Sequence, residues 1–332
     1  MTADKQKPTI LLIAAGGTIG LVRNPQTGKS VPGWTGADLL VQTAVATTVD
    51  VRIRDWPETL EPYSSPNDLL AFARSLQQEV NNGVDGVVVT HGTDTLEEVA
   101  YFIDEVIPPA VPIVFTGAMR PTWVAGYDGI RNLENAFRVV LGVAEDYGTL
   151  VTLGDTVFEA WSVYKQNTGA LDAFAARYGA PFGRILGDQV TLTWRPVPRT
   201  RLGRLPETLP TSVPILTMGI ADDAIPLAHL PEPTVQGLVV AGMAAGSIPP
   251  IARERIMTLA ETGLPVVLCS GAANGRTAEE YYYPGAYDDL RAAGVQIEDW
   301  LAPRKARIRL MLSLGLQEPY VPFGKEFIVG NQ

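Results

Sequence analysis

Two short stretches gather the side chains best suited to chemistry. Residues 90–95 read Thr-His-Gly-Thr-Asp-Thr, directly after the apolar run Val87-Val88-Val89. Residues 16–18 read Gly-Gly-Thr, directly after the apolar run 10–15. Glycine allows a sharp backbone turn and close approach of a ligand, so each turn can present a threonine hydroxyl at the edge of a sheet. Each residue also has a plainer reading when taken alone. GGTIG can be only a tight turn, and it lacks the GxGxxG spacing of a dinucleotide site. His91 can be a hydrogen-bonded structural histidine, Asp94 a turn cap, Thr95 a helix cap, and Lys165 a solvated surface lysine.

The elements that must position these turns alternate regularly. Short apolar runs at 10–14, 86–90, 113–116, 150–153, 213–217, 237–241 and 265–269 read as strands buried on both faces. Helical patterns lie between them. Thr95 and Glu98 have the spacing of a capping box opening a helix to about residue 106. Asp128 opens a second helix, with Ile130, Leu133, Phe137, Val140 and Leu141 along one face. Pro249 or Pro250 starts a third, running to about Glu261. Strand–helix alternation predicts an α/β fold with a mostly parallel, doubly wound sheet. Sites in such sheets form beyond the carboxyl ends of strands, at a switch in strand order, which is where both glycine-threonine turns fall. The proline-rich stretch 195–214 reads as a boundary. It sets a large N-terminal domain over 1–200, a linker over 201–212 and a smaller α/β C-terminal domain over 213–332.

Composition narrows the function. The chain has 332 residues, 46% hydrophobic and 19% charged, which is enough for two cores. A net charge of -10 without a basic run argues against nucleic acid or an anionic membrane as partner. No run reaches the roughly 18 apolar residues of a membrane span. Residues 1–7 are polar and the apolar run after them is short and leads into a turn, so it reads as a first strand of a cytoplasmic protein rather than a signal peptide. The single cysteine, Cys269, excludes an intrachain disulfide and reads as a packing residue in a strand.

"AAGGTIG" (14–20) followed by "GVVVTHGTDTLEE" (86–98) resembles the two signature segments of the bacterial-type L-asparaginase family. The resemblance continues through "VPIVFTGAMRP" (111–121), "DGIRNLENAF" (128–137), "GDTVFEAWSVYKQNTGALDAF" (154–174) and "PRKARIRLMLSLGL" (303–316), in order over nearly the whole chain. It implies an amidohydrolase that needs no metal or organic cofactor and works as a homo-oligomer, a dimer or a tetramer of intimate dimers. It implies Thr18 as nucleophile, with Thr93, Asp94 and Lys165 as the buried triad. It also implies Gly17, Gly92, Asp94 and Ala118 against a small amide substrate. A threonine hydroxyl is a weak nucleophile until a base takes its proton, and a lysine is such a base only when neutral. Asp94 suits a cationic group of the substrate, and backbone N–H groups of the two turns suit the oxyanion. The expected path is attack on a side-chain amide, loss of ammonia, then hydrolysis of the acyl-enzyme.

Three departures fall on substrate-facing positions. Residues 19–62 hold no tyrosine, where such asparaginases usually carry one in a mobile loop; Trp34 or Tyr63 are candidate stand-ins. The position of the family's carboxylate-binding serine falls near Glu61 or Pro62, unless the loop is slipped and Ser64 or Ser65 serves. Ala245 and Ser247 stand where asparagines are usual. A glutamate at 61 repels a carboxylate and attracts an amine. The first reading is therefore hydrolysis of L-asparagine to L-aspartate and ammonia. The second is hydrolysis of a different or carboxylate-blocked small amide, and the third a non-catalytic small-molecule binder. The related tRNA-amidating proteins carry an extra N-terminal domain not expected here.

Overall fold

A computed structural model of the chain describes residues 7–56, 64–143, 145–196, 199–228, 234–278 and 287–324. Two compact units divide between Pro196 and Val197.

In the first unit, β1 (Thr9–Ala15) runs into a short ribbon of β2 (Leu21–Arg23) and β3 (Ser30–Pro32). Helix α1 (Gly36–Val41), β4 (Asp50–Asp55), α2 (Pro66–Asn81) and β5 (Gly86–His91) follow. Then come α3 (Leu96–Val106), β6 (Ile113–Thr116), α4 (Gly129–Gly142) and β7 (Thr149–Leu153). Five strands pair in parallel in the order β4-β1-β5-β6-β7. β8 (Thr156–Glu159), β11 (Gly183–Leu186) and β12 (Gln189–Leu192) extend the sheet antiparallel, while β9 (Val163–Lys165) and β10 (Phe174–Ala176) form a separate pair. Every residue of β5, β6 and β7 is buried, so both faces of the sheet are covered. On one face Ile10, Leu12, Val88, Val114 and Leu150 pack with Leu133, Phe137 and Val140 of α4.

The second unit is a four-stranded sheet ordered β13 (Ile215–Thr217), β14 (Leu238–Gly242), β15 (Val266–Ser270) and β16 (Gln296–Glu298), all parallel. Its core joins Val240 and Leu268 to Ala252 and Ile256 of the helix Pro250–Glu261. Cys269 is fully buried within β15.

Local chemistry differs from expectation at two helix starts. Thr95 is the N-cap of α3, but its backbone (φ -118, ψ -1) is not extended and its side chain makes no capping bond. An extended N-cap is what aims the hydroxyl at the helix N–H groups, so the capping box predicted there does not form. Asp128 precedes α4 without capping it; its carboxylate accepts from the N–H groups of Met119 and Arg120, both at 3.0 Å. Complete capping boxes stand instead at Thr35–Asp38 and Ser65–Asp68. Ser65 is thereby committed to starting α2. Glu61, Pro62 and Tyr63 lie outside the described residues.

Candidate active site

The chain leaves β1 for β4 on one side and returns to β5 on the other, which makes the β1/β5 edge the switch point of the sheet. Ala15 and His91 are the last paired residues there. Beyond them the two glycine-threonine turns meet backbone to backbone. Gly17 has φ 88, and a Cβ placed on it would lie 2.5 Å from Gly92 N. Gly117 closes the third side, where a Cβ would lie 2.6 Å from the His91 carbonyl oxygen and 3.2 Å from Thr93 Cγ2. Gly17→Ala therefore combines a left-handed backbone with a clash against main chain that cannot rotate away. It is expected to lower the unfolding free energy by at least about 2 kcal/mol, read as a shifted urea midpoint. An unchanged midpoint would mean the two turns do not touch.

Thr93, Asp94 and Lys165 come together although 72 residues separate Lys165 from Thr93. Lys165 Nζ donates to Thr93 Oγ1 at 2.8 Å and to Asp94 Oδ1 at 2.7 Å. Its backbone N–H donates to Glu97 Oε2 at 2.6 Å, so the first turn of α3 fixes where β9 ends. Thr93 is buried, the Lys165 side chain is 16% exposed, and the Asp94 side chain is 69% exposed. With Nζ occupying a lone pair of Thr93 Oγ1, the threonine's own hydrogen must point elsewhere.

Thr18 opens a single 3-10 turn, Thr18–Gly20, and is half-buried. The three carbonyls that follow it are each held. Ile19 O accepts from the Tyr127 hydroxyl at 2.6 Å. Gly20 O accepts from the N–H groups of Gly33 and Trp34 at 3.1 and 2.9 Å, and Leu21 O from the Thr122 hydroxyl at 2.8 Å. Burial and the neighbouring Asp128 carboxylate push the Tyr127 phenol upward, so it stays a neutral donor. The two turns and the loop open onto one pocket of about 420 Å³. Gly16, Gly17, Thr18, Gly92, Thr93, Asp94 and Lys165 line it together with Gly20, Leu21, Pro32, Trp34, Met119 and Thr168. Ala118 is fully buried in the core, and the residue of that loop lining the pocket is Met119. Pro32, Met119 and Thr168 were not among the candidates read from sequence. A turn signal at Gln26-Thr27-Gly28 between Val22 and Val31 was the available sign of the ribbon that carries Pro32.

His91 stands behind the turn rather than in the pocket. It is fully buried, and its Nδ1 donates to Gly92 O at 2.8 Å. Among the described residues no polar partner reaches Nε2. A second proton there would place an unpaired charge in the interior, and burial lowers the imidazole pKa to about 4. The sign follows from linkage: the unfolded chain binds this proton below its ordinary value of 6.5 while the folded chain does not. His91's stabilisation is complete above about pH 6.5 and is lost as pH falls toward 4, amounting to roughly 3 kcal/mol over that window. The His91→Gln variant should show a shallower fall in urea midpoint between pH 7 and pH 4.5 than the parent. Parallel curves would remove His91 as the cause.

No cluster of three His, Cys, Asp or Glu side chains among the described residues could hold a metal ion. None of their helices is long and apolar enough to cross a membrane.

Comparison with known proteins supplies the remaining observations. Residues 9–198 match the family described as Asparaginase, N-terminal, and residues 212–320 match the Glutaminase/Asparaginase C-terminal domain. A probable L-asparaginase of Deinococcus radiodurans is 35% identical over 93% of this chain and 94% of its own length. The L-asparaginase 2 of Escherichia coli is 30% identical over 92% of this chain and 89% of its own. A component of the glutamyl-tRNA(Gln) amidotransferase of Haloquadratum walsbyi is 29% identical over 94% of this chain and 72% of its own. The crystal structure of a probable cytoplasmic L-asparaginase from Campylobacter jejuni superposes with a TM-score of 0.80 at 28% identity. It covers 93% of this chain and 95% of that one.

Proposed function

Because the chain belongs to the asparaginase family of amidohydrolases, we propose that it hydrolyses L-asparagine to L-aspartate and ammonia through a threonine nucleophile. The observation that carries this reading is the Lys165–Thr93–Asp94 cluster opening onto the same pocket as Thr18. Thr18 attacks the side-chain amide carbon and forms an acyl-enzyme as ammonia leaves. A water held at Thr93 attacks the acyl-enzyme and completes hydrolysis, with Lys165 Nζ, 2.8 Å from Thr93 Oγ1, accepting the proton that is released. Backbone N–H groups of the turns at Gly17 and Gly92 receive the oxyanion, and exposed Asp94 faces the substrate ammonium. The family resemblance further supports a homo-oligomer, and the name of the Campylobacter relative fits a cytoplasmic setting.

A specific observation favours a second reading, hydrolysis of a small amide other than free asparagine. Leu21, Pro32, Trp34 and Met119 add apolar residues to the lining of the pocket. Ammonia release from L-asparagine, L-glutamine and asparagine blocked at the α-carboxylate separates the two. Release from free L-asparagine at rates above every blocked amide supports the first. Release confined to blocked amides replaces it with the second, and no release from any of them removes both.

A further inference from the structure

β6 ends at Thr116, and the chain beyond it, residues 117–120, belongs to no strand or helix. This segment forms a wall of the pocket. Gly117 abuts the turn that carries Thr93: a Cβ there would lie 2.6 Å from His91 O and 3.2 Å from Thr93 Cγ2. Two residues on, Met119 lines the pocket. An irregular segment has no neighbouring strand to take its backbone N–H and C=O groups, so other groups must take them.

Side chains at the start of α4 take them. Asp128 Oδ2 accepts from Met119 N and Asp128 Oδ1 from Arg120 N, both at 3.0 Å. Four residues later Asn132 is fully buried, and its amide is fully used. Nδ2 donates to Gly117 O and to Asp128 Oδ2, each at 2.9 Å, and Oδ1 accepts from Gly154 N at 2.9 Å. These partners dictate the residue types. The Asn132 nitrogen faces two acceptors and its oxygen faces an N–H, which suits an amide. The two Asp128 oxygens face three N–H donors, which suits an acceptor-only carboxylate. Neither Asp128 nor Asn132 is among the described residues that line the pocket. Whatever they contribute there is passed on through residues 117–120.

We propose that Asp128 and Asn132 are positioning residues that set the 117–120 wall from outside the pocket. The two act at different ends of it. Asp128 grips Met119, which lines the pocket, and so governs substrate affinity. Asn132 grips Gly117, which packs against Thr93, and so governs the step that Thr93 serves. This rests on the amidohydrolase reading of the pocket.

The test compares the full-length protein with its Asp128→Asn and Asn132→Asp variants, which keep side-chain shape and change only donors and acceptors. Whichever way the new amide of Asp128→Asn turns, its NH2 group meets a backbone N–H of Met119 or Arg120. Asn132→Asp sets an oxygen against Gly117 O. Ammonia release from L-asparagine gives KM and kcat, and amide hydrogen exchange reads local opening of residues 117–120 and 91–93. Asp128→Asn is expected to raise KM about tenfold or more with kcat within about threefold. Asn132→Asp is expected to lower kcat about tenfold or more. Exchange should quicken in 117–120 and in 91–93 in both. If one variant fails to fold, the parameter assigned to the other still decides. A lowered urea midpoint with KM and kcat unchanged makes the network structural only and overturns the proposal. No ammonia from the parent counts against the hydrolytic reading alone. Exchange then decides the wall: quickening that reaches 91–93 supports it, and quickening confined to 119–120, or none, overturns it.

Discussion

Thr18→Ala is expected to lower ammonia release by about 10³-fold or more while leaving the fold intact. The magnitude follows from what the hydroxyl does under the proposed mechanism. It supplies the attacking oxygen, and nothing adjacent replaces it. Thr18 is half-buried, and its neighbours Ile19 and Gly20 carry the packing of the turn. The contacts that hold the turn are backbone bonds from Gly20 and the tie from Tyr127 to Ile19, none of which uses the Thr18 side chain. Substitution should therefore leave the unfolding free energy within about 0.5 kcal/mol of the parent. A sharper result comes from trapping. With a slow substrate, intact mass should rise by the acyl group in the parent, and not in Thr18→Ala. Turnover near the parent's in Thr18→Ala, or acylation mapped to Thr93, would reverse the roles of the two threonines.

The parts of this site differ in how far sequence pattern could reach them. The parallel strands β1, β5, β6, β7, β13, β14 and β15 were readable because each lies in a continuous apolar run, which burial on both faces demands, whereas the edge strands β4 (Asp50–Asp55) and β16 (Gln296–Glu298) carry charged and polar residues and gave no such signal. β8 to β12 escaped because they are three- and four-residue strands with partial exposure, too short for a periodic signal. Thr95–Glu98 and Thr35–Asp38 show the limit of a local motif. Both have the spacing of a capping box, yet only the second has an extended cap residue, and a dihedral angle is not written in spacing. The loop 21–40 lacked its expected tyrosine, but the ring that reaches this turn is Tyr127, 108 residues from its partner Ile19. Lys165 beside Thr93 is likewise a tertiary fact. Its residues alone read as a surface lysine, and only the family resemblance pointed to the pair.

Lys165→Met carries the second large effect. Methionine nearly matches the length of the lysine stem and removes only the amine, so packing beside β9 is largely retained. The lost ion pair costs little stability, because the Asp94 side chain is 69% exposed and solvent screens it. The rate behaves differently. Nζ is the group within 2.8 Å of Thr93 Oγ1, and a positioned base contributes about 10²–10⁴-fold. The expected result is a fall of that size in kcat with a urea midpoint close to the parent's. Lys165→Arg distinguishes a base from a mere positive charge. A guanidinium keeps the pairing with Asp94 but cannot take a proton near neutral pH. If Lys165 moves the proton, both variants are slow; if it only supplies charge, arginine restores most of the rate. Near-parental turnover in Lys165→Met would leave Thr93 without its base and would require the hydrolytic water to be activated from elsewhere in the pocket.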